Sequence, residues 1–125
     1  SVANKKIAVL GLTFKPETDD MREAPALAIL PLLIERGAKI KAHDPHGMEE
    51  AAKELPDSVQ YTDNIDDAVR DADAIVLMTE WNQYRGLDLA KLKALMRGDV
   101  FVDLRNVYER QWMQEHGFKY SCVGR

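Results

Sequence analysis

Apolar residues along this chain come in short dense blocks separated by polar punctuation. Lys6-Ile7-Ala8-Val9-Leu10 is a continuous run closed by Gly11, the pattern of a strand buried on both faces. Over residues 24–36 the spacing changes: Leu27, Leu30 and Ile34 recur at helical intervals, and Gly37 stands as the stop. Pro25 suits the first turn of that helix, whereas Pro31 in its interior predicts a kink. Lys39-Ile40-Lys41-Ala42-His43 reads as a second strand ended by Asp44-Pro45. Residues 47–54 read as a short polar helix, and Val59-Gln60-Tyr61 as a brief extended piece. Asp63 or Asn64 can cap a helix over residues 65–71, which leads into the buried run Ala74-Ile75-Val76-Leu77-Met78. An amphipathic helix follows over residues 88–97, through Leu89, Leu92, Leu95 and Met96. Gly98-Asp99 turns into Val100-Phe101-Val102-Asp103. A short helix over residues 109–116 and a last strand over 118–121 complete the chain.

Strands alternating with helices predict right-handed crossovers and a mainly parallel sheet. The expected fold class is therefore α/β: a three-layer, Rossmann-like domain with about five strands and helices on both faces. A length of 125 residues fits one domain over residues 1–125, and no repeat, low-complexity tract or linker divides it. Apolar residues at 46% and charged residues at 30% fit a soluble globular chain. The net charge of −4, without a basic stripe, argues against nucleic acid as a main partner. No apolar run approaches the roughly 20 residues of a membrane span. Lys5 and Lys6 lead into a strand rather than a cleavable hydrophobic region, so no signal peptide is expected. One cysteine, Cys122, excludes an internal disulfide and fits a reducing compartment. A chain opening on Ser1 rather than methionine is expected to be part of a longer protein.

Chemistry concentrates in the connection between the first strand and the first helix, residues 11–25. Such connections usually need ~2–6 residues. This one is longer and carries Phe14, Lys15, Arg22, two prolines and several carboxylates. In open parallel sheets, ligands bind beyond the carboxyl ends of the strands, where this loop must lie. Thr79-Glu80-Trp81-Asn82 and Leu104-Arg105-Asn106 belong to the same end, with His43-Asp44-Pro45 to one side. Lys15, Arg22 and Arg105 together point to a bound anion, most simply a phosphate or pyrophosphate, and Phe14 offers a ring to a base or ribose. Alternatively, Lys15 and Arg22 pair with Glu17, Asp19 and Asp20 and only shape the loop. Spacing leaves these two readings level; Arg105, arriving from another strand, favours the ligand.

The loop after the first strand has a single glycine where a G-x-G-x-x-G turn would cradle a dinucleotide, so standard dinucleotide binding is disfavoured. Catalytic and metal constellations are not expected. Cys122 has no neighbouring histidine and reads as a buried or incidental thiol. His43, His46 and His116 lack ligand spacing. Asp19-Asp20 fit the charge preference of a helix N-terminus, and Trp81 reads as packing.

Val9-Leu10-Gly11-Leu12-Thr13-Phe14-Lys15-Pro16, followed by Thr18-Asp19-Asp20-Met21-Arg22-Glu23-Ala24-Pro25-Ala26-Leu27, resembles the C-terminal domain of the UDP-glucose/GDP-mannose dehydrogenases. Thr79-Glu80-Trp81-Asn82 and Asp103-Leu104-Arg105-Asn106 resemble the later signature segments of that domain, in the same order. The resemblance covers nearly the whole chain and is nearest to the UDP-glucose 6-dehydrogenase branch; UDP-N-acetylmannosamine and GDP-mannose dehydrogenases are the competing branches. It implies a cytoplasmic, homo-oligomeric enzyme that oxidises a sugar C6 alcohol to a carboxylate with two NAD. NAD would sit mainly on a separate N-terminal domain, and the catalytic cysteine in a central region. By the same resemblance Phe14, Lys15 and Arg105 bind the UDP-sugar, and Arg22 reaches the NAD cofactor. Glu80 and Trp81 are interface or pocket-wall candidates, no residue of the chain is catalytic, and the fragment alone is expected to be inactive. Leu104 stands where many members have glycine, which is expected to stiffen the turn carrying Arg105. A stand-alone nucleotide-binding module and a purely structural, salt-bridged loop are the other readings.

Overall fold

A computed structural model describes residues 2–13 and 24–122. The loop residues 14–23, and with them Phe14, Lys15, Arg22 and the acids Asp19 and Asp20, lie outside the described residues.

The first apolar run forms β1 (Lys6–Leu10), in which every residue after Lys6 is buried. Helix α1 (Pro25–Glu35) starts with proline in its first turn, where a missing N–H costs nothing. It ends as the glycine requires: Gly37, at φ +95°, donates to the Ile34 carbonyl while Ala38 donates to Leu33. This pair of bonds closes the helix in a Schellman arrangement. The helix runs as one element through Pro31, which has no N–H for the carbonyl one turn earlier. β2 (Lys39–His43), α2 (Met48–Glu54) and β3 (Gln60–Tyr61) follow. Helix α3 (Ile65–Val69) is capped by Asn64, whose side chain accepts from the Asp67 amide at 3.0 Å.

The second half contains β4 (Ala74–Leu77), α4 (Asn82–Arg85), α5 (Leu89–Leu95), β5 (Val100–Asp103), α6 (Arg110–Glu115) and β6 (Lys119–Cys122). Asp88 caps α5 through the Lys91 amide. The turn α4 had no sequence signal of its own: four residues are too few for an amphipathic period to register.

All strand pairs are parallel, in the order β3-β2-β1-β4-β5-β6. This is the doubly wound nucleotide-fold order, with its reversal of direction between β1 and β4. The sheet has six strands where about five were expected, because Gln60 and Tyr61 pair with Lys41 and Ala42 and extend the sheet by a short edge. Alternate residues of β1 divide the core. Ile7 and Val9 face a layer with Ala26 and Leu30 of α1 and Ala51 of α2. Ala8 and Leu10 face the layer of Val69, Tyr84, Leu92 and Met113 from α3 to α6. Phe101 packs there edge-on against Tyr108 and Phe118.

Candidate functional site

The crevice expected at the point of strand reversal is built from the loops after β1, β4, β2 and β5. Its first member is pinned from several directions. Gly11 donates its N–H to the His43 carbonyl at 2.8 Å. It is held at φ +92°, and a Cβ there would lie 2.5 Å from Thr79 Cβ, so only glycine allows the β1 and β4 loops to close on each other. Leu12 and Thr13 donate their amides to Asp44 Oδ2 at 2.7 and 3.2 Å. Thr79 Oγ1 donates to the Thr13 carbonyl at 2.7 Å. Thr13, the last described residue before the loop, is therefore held by Asp44 and Thr79.

Asp44 itself is wholly buried, yet its charge is not orphaned. Oδ1 accepts from the amides of His46 and Gly47 at 2.9 and 2.6 Å, and Oδ2 takes the loop after β1. Four backbone N–H groups thus satisfy the buried carboxylate. Beside it, His43 Nδ1 lies 2.7 Å from the Tyr84 hydroxyl, which donates to the His43 carbonyl at 2.9 Å. The Tyr84 hydroxyl thus lies between the ring and the carbonyl of His43. Burial lowers the His43 pKa, outweighing the pull of the Asp44 carboxylate in the other direction. Burial, with Asp44 second, raises that of the Tyr84 phenol. Tyr108, whose hydroxyl donates to the Tyr84 carbonyl, is pushed up to about 12 by burial. His43, Tyr84 and Tyr108 are linked through these hydroxyls and brace one another.

Asp103, at the end of β5, repeats the device. Its buried carboxylate accepts from the amides of Arg105, Val107 and Tyr108 and from the Tyr120 hydroxyl at 2.7 Å. Arg105 thus stands on a fixed base. Its side chain is 34% exposed, and one guanidinium nitrogen meets Glu80 Oε1 at 3.1 Å while Arg85 takes Oε2 at 2.9 Å. Arg105 reaches the crevice already paired through one nitrogen, leaving the rest of its fork for another acceptor. Leu104 takes no strained backbone; the positive-φ position of this turn is Asn106, at 54°. Leu104 instead donates to the Leu77 carbonyl and packs on the α1 side of the core.

Trp81 is buried as packing, its indole stacked 5.0 Å from the exposed His46 ring at 6°. Cys122 is half-buried, 3.6 Å from an Arg110 nitrogen, at the edge strand far from the strand reversal. A separate groove of about 410 Å³ lies against α3 and the first residues of β1 and β2, lined by Lys6, Lys39, Lys41, Asp67 and Arg70. It contains none of the crevice residues, and Lys41 there is paired with Asp67 at 2.9 Å.

The sequence puts Asp44 and Thr79 in the crevice loops but gives neither a role of its own. A strand-ending Asp-Pro reads as a stop, and nothing in its spacing reveals that the carboxylate turns inward. The pairing of Arg105 with Glu80 was equally invisible, being fixed by strand order across 25 residues.

The sequence of residues 8–110 matches the UDP-glucose/GDP-mannose dehydrogenase family, UDP binding domain. The chain belongs to this family. It is 46% identical over 124 residues to a UDP-glucose 6-dehydrogenase of Rhizobium meliloti, covering 99% of this chain and 28% of that protein. Against UDP-glucose 6-dehydrogenase TuaD of Bacillus subtilis the identity is 41% over 125 residues, 27% of that protein. The chain thus spans little more than a quarter of these family members. Among solved structures, an NDP-N-acetyl-D-galactosaminuronic acid dehydrogenase from Methanosarcina mazei superposes with a TM-score of 0.86 at 32% identity, covering 99% of this chain and 25% of that one. A UDP-glucose dehydrogenase from Pyrobaculum islandicum does so at 0.75 and 36%, covering 96% and 25%.

The family implies NAD, and the described residues do not form a cradle for it. The one glycine after β1 has its Cβ space filled by Thr79, so it serves the approach of two loops and not of a pyrophosphate. No helix of the described residues is long and apolar enough to cross a membrane.

Proposed function

We propose that this chain is the C-terminal nucleotide-sugar-binding domain of a UDP-glucose 6-dehydrogenase. The whole enzyme would oxidise UDP-glucose to UDP-glucuronate with two NAD, in the cytoplasm, as a homo-oligomer. Residues 1–125 form its single UDP-sugar-binding domain. The NAD-binding and central domains of the same enzyme supply the cofactor site and the catalytic cysteine, and the fragment alone is inactive. Phe14, Lys15 and Arg105 hold the UDP-sugar, and Arg22 reaches the NAD across the domain boundary.

The observation that carries this reading is the pinned entry to the loop at the strand reversal. Gly11, Leu12 and Thr13 are fixed by His43, Asp44 and Thr79, and the next residues are Phe14 and Lys15. Arg105, seated on Asp103, completes a cationic crevice for a diphosphate. The chain's part in catalysis is then to bind and orient, presenting the sugar C6 to groups on the other domains.

In the full-length enzyme, Lys15→Ala is expected to raise the UDP-glucose KM more than about ten-fold, because a charge-assisted contact to phosphate is lost. Unchanged kinetics would remove Lys15 from the site. An N-acetylated sugar nucleotide is the second reading, favoured by the superposition on the N-acetyl-galactosaminuronic acid dehydrogenase. Assays with UDP-glucose, UDP-N-acetylmannosamine and GDP-mannose decide between them.

A further inference from the structure

We propose that Glu80 is a positioning residue for the sugar nucleotide: it aims the tip of Arg105, and Arg85 keeps it from taking the whole guanidinium. The proposal rests on the reading of the preceding subsection, in which Arg105 meets the diphosphate. Arg105 is fixed at its root, where its amide donates to Asp103 Oδ1 at 3.0 Å. A fixed root does not orient the far end, because the long stem between them turns about several bonds. The tip has one partner among the described residues, Glu80 Oε1 at 3.1 Å. Glu80 in turn follows the buried Thr79 and precedes the buried Trp81, so its own backbone has little room to move.

A carboxylate alone with an arginine can take it through two parallel bonds. Here the second oxygen goes to Arg85, at 2.9 Å. Arg105 is therefore gripped through one nitrogen, and its remaining N–H groups have no partner among the described residues. Two arginines on one acid also leave the cluster cationic, so the pairing does not cancel its attraction for a diphosphate. The three side chains are 32–50% exposed, too wet for these pairs to add much to stability. What the arrangement supplies is order. An arginine aimed before the ligand arrives loses less freedom on binding, worth a few-fold to about ten-fold in affinity.

The test is made in the full-length enzyme with UDP-glucose varied and NAD saturating. Glu80→Ala and Arg85→Met are each measured alone and combined with Arg105→Ala. Glu80→Ala is expected to raise KM about five-fold or more, with kcat within about two-fold. Arg85→Met is expected to raise it about three-fold, since a released Glu80 either closes both oxygens on Arg105 or swings away from it. With Arg105→Ala present, neither change adds more than about two-fold, because no guanidinium is left to aim. A merely structural role would carry its effect into both backgrounds, and an acid that only repelled the diphosphate would lower KM when removed. Equal effects in the two backgrounds, or Glu80→Ala with a wild-type or lower KM, overturn the proposal. If Glu80→Ala does not fold, Arg85→Met decides by the same comparison. Wild-type enzyme inert toward UDP-glucose, or Arg105→Ala with a wild-type KM, overturns the underlying reading and the proposal with it. A raised KM in Arg105→Ala beside an unmoved one in Glu80→Ala removes only the positioning role.

Discussion

The two ends of the sheet use the same residue, aspartate, for different ends. At the amino end, beside β1 and β4, Asp73 accepts from the Lys6 amide at 2.9 Å and binds Arg97 through both oxygens, at 2.9 and 2.5 Å. The Arg97 side chain there is 55% exposed, so the pair works in water and across its screening. At the carboxyl end, Asp44 and Asp103 are buried and spend their charge on backbone N–H groups from the very loops that face the crevice. An ion pair on the surface fastens two elements and tolerates drift. A buried carboxylate on several amides tolerates none, because each lost bond leaves a dehydrated dipole. The carboxyl end is thus organised for geometry, the amino end for attachment.

Glycine substitutions test the contrast most severely. Gly11→Ala and Gly98→Ala both force a Cβ into occupied space, against Thr79 Cβ at 2.5 Å and the Asp73 carbonyl oxygen at 2.2 Å. Each is expected to cost roughly 2–3 kcal/mol in unfolding free energy. Hydrogen-exchange protection of β1 and β4 amides measures that loss. Only Gly11→Ala should also raise the sugar-nucleotide KM; equal KM values for the two variants would erase the distinction between the ends.

Tyr120→Phe makes a smaller cut. It removes the hydroxyl that donates to Asp103 Oδ2 and leaves the three amide donors in place. Oδ2 keeps the Val107 and Tyr108 amides, so the cost is that of one lost buried hydrogen bond, about 1 kcal/mol. Denaturant unfolding checks it, and a loss below about 0.5 kcal/mol would mean that the amides alone seat Arg105.

The smallest effect is the titration of Asp73, whose pKa is drawn down to about 2 by the Arg97 guanidinium and the Lys6 amide. The folded pKa lies below the unfolded one, so the stabilisation is present above about pH 4 and fades as pH falls toward 2. With Arg97 largely in solvent its worth is about 1 kcal/mol or less. Stability measured from pH 5 to 2 should show a loss that Asp73→Asn abolishes; the same acid profile in the variant contradicts the assignment.

What could be read in advance was what local chemistry determines. Gly37 as a helix stop and Asp63 or Asn64 as a cap depend on neighbours within four residues; Gly37 stands where the pattern put it, and of the two cap candidates the structure uses Asn64. The buried runs of β1 and β4 follow from their dense apolar blocks, whereas β5, expected to be buried, leaves Val100 exposed at its start and buries Phe101 and Asp103. The edge β3 was legible only as an extended piece, because two residues carry no register until a partner strand is known. The site was legible as a set of loops rather than as a set of contacts. Arg105 declares itself by its charge, but its partner Glu80 comes from another strand's loop, and an aspartate before proline reads as punctuation. Inward-turning acids give no periodic signal. Their role depends on which amides the fold brings to them.

The strand order carries a consequence for how the molecule forms. β1, the central strand, is the earliest in the chain, yet its two neighbours lie far along it: Lys6 pairs with Lys39, and Ile7 with Ala74. Parallel pairing offers no hairpin shortcut, so each closure costs chain entropy before any contact repays it. A chain growing from its amino end holds β1 beside β2 alone until β4 arrives. Only then can Thr79 reach the Thr13 carbonyl. Within this chain, the strand that comes first in sequence is among the last to gain both of its neighbours.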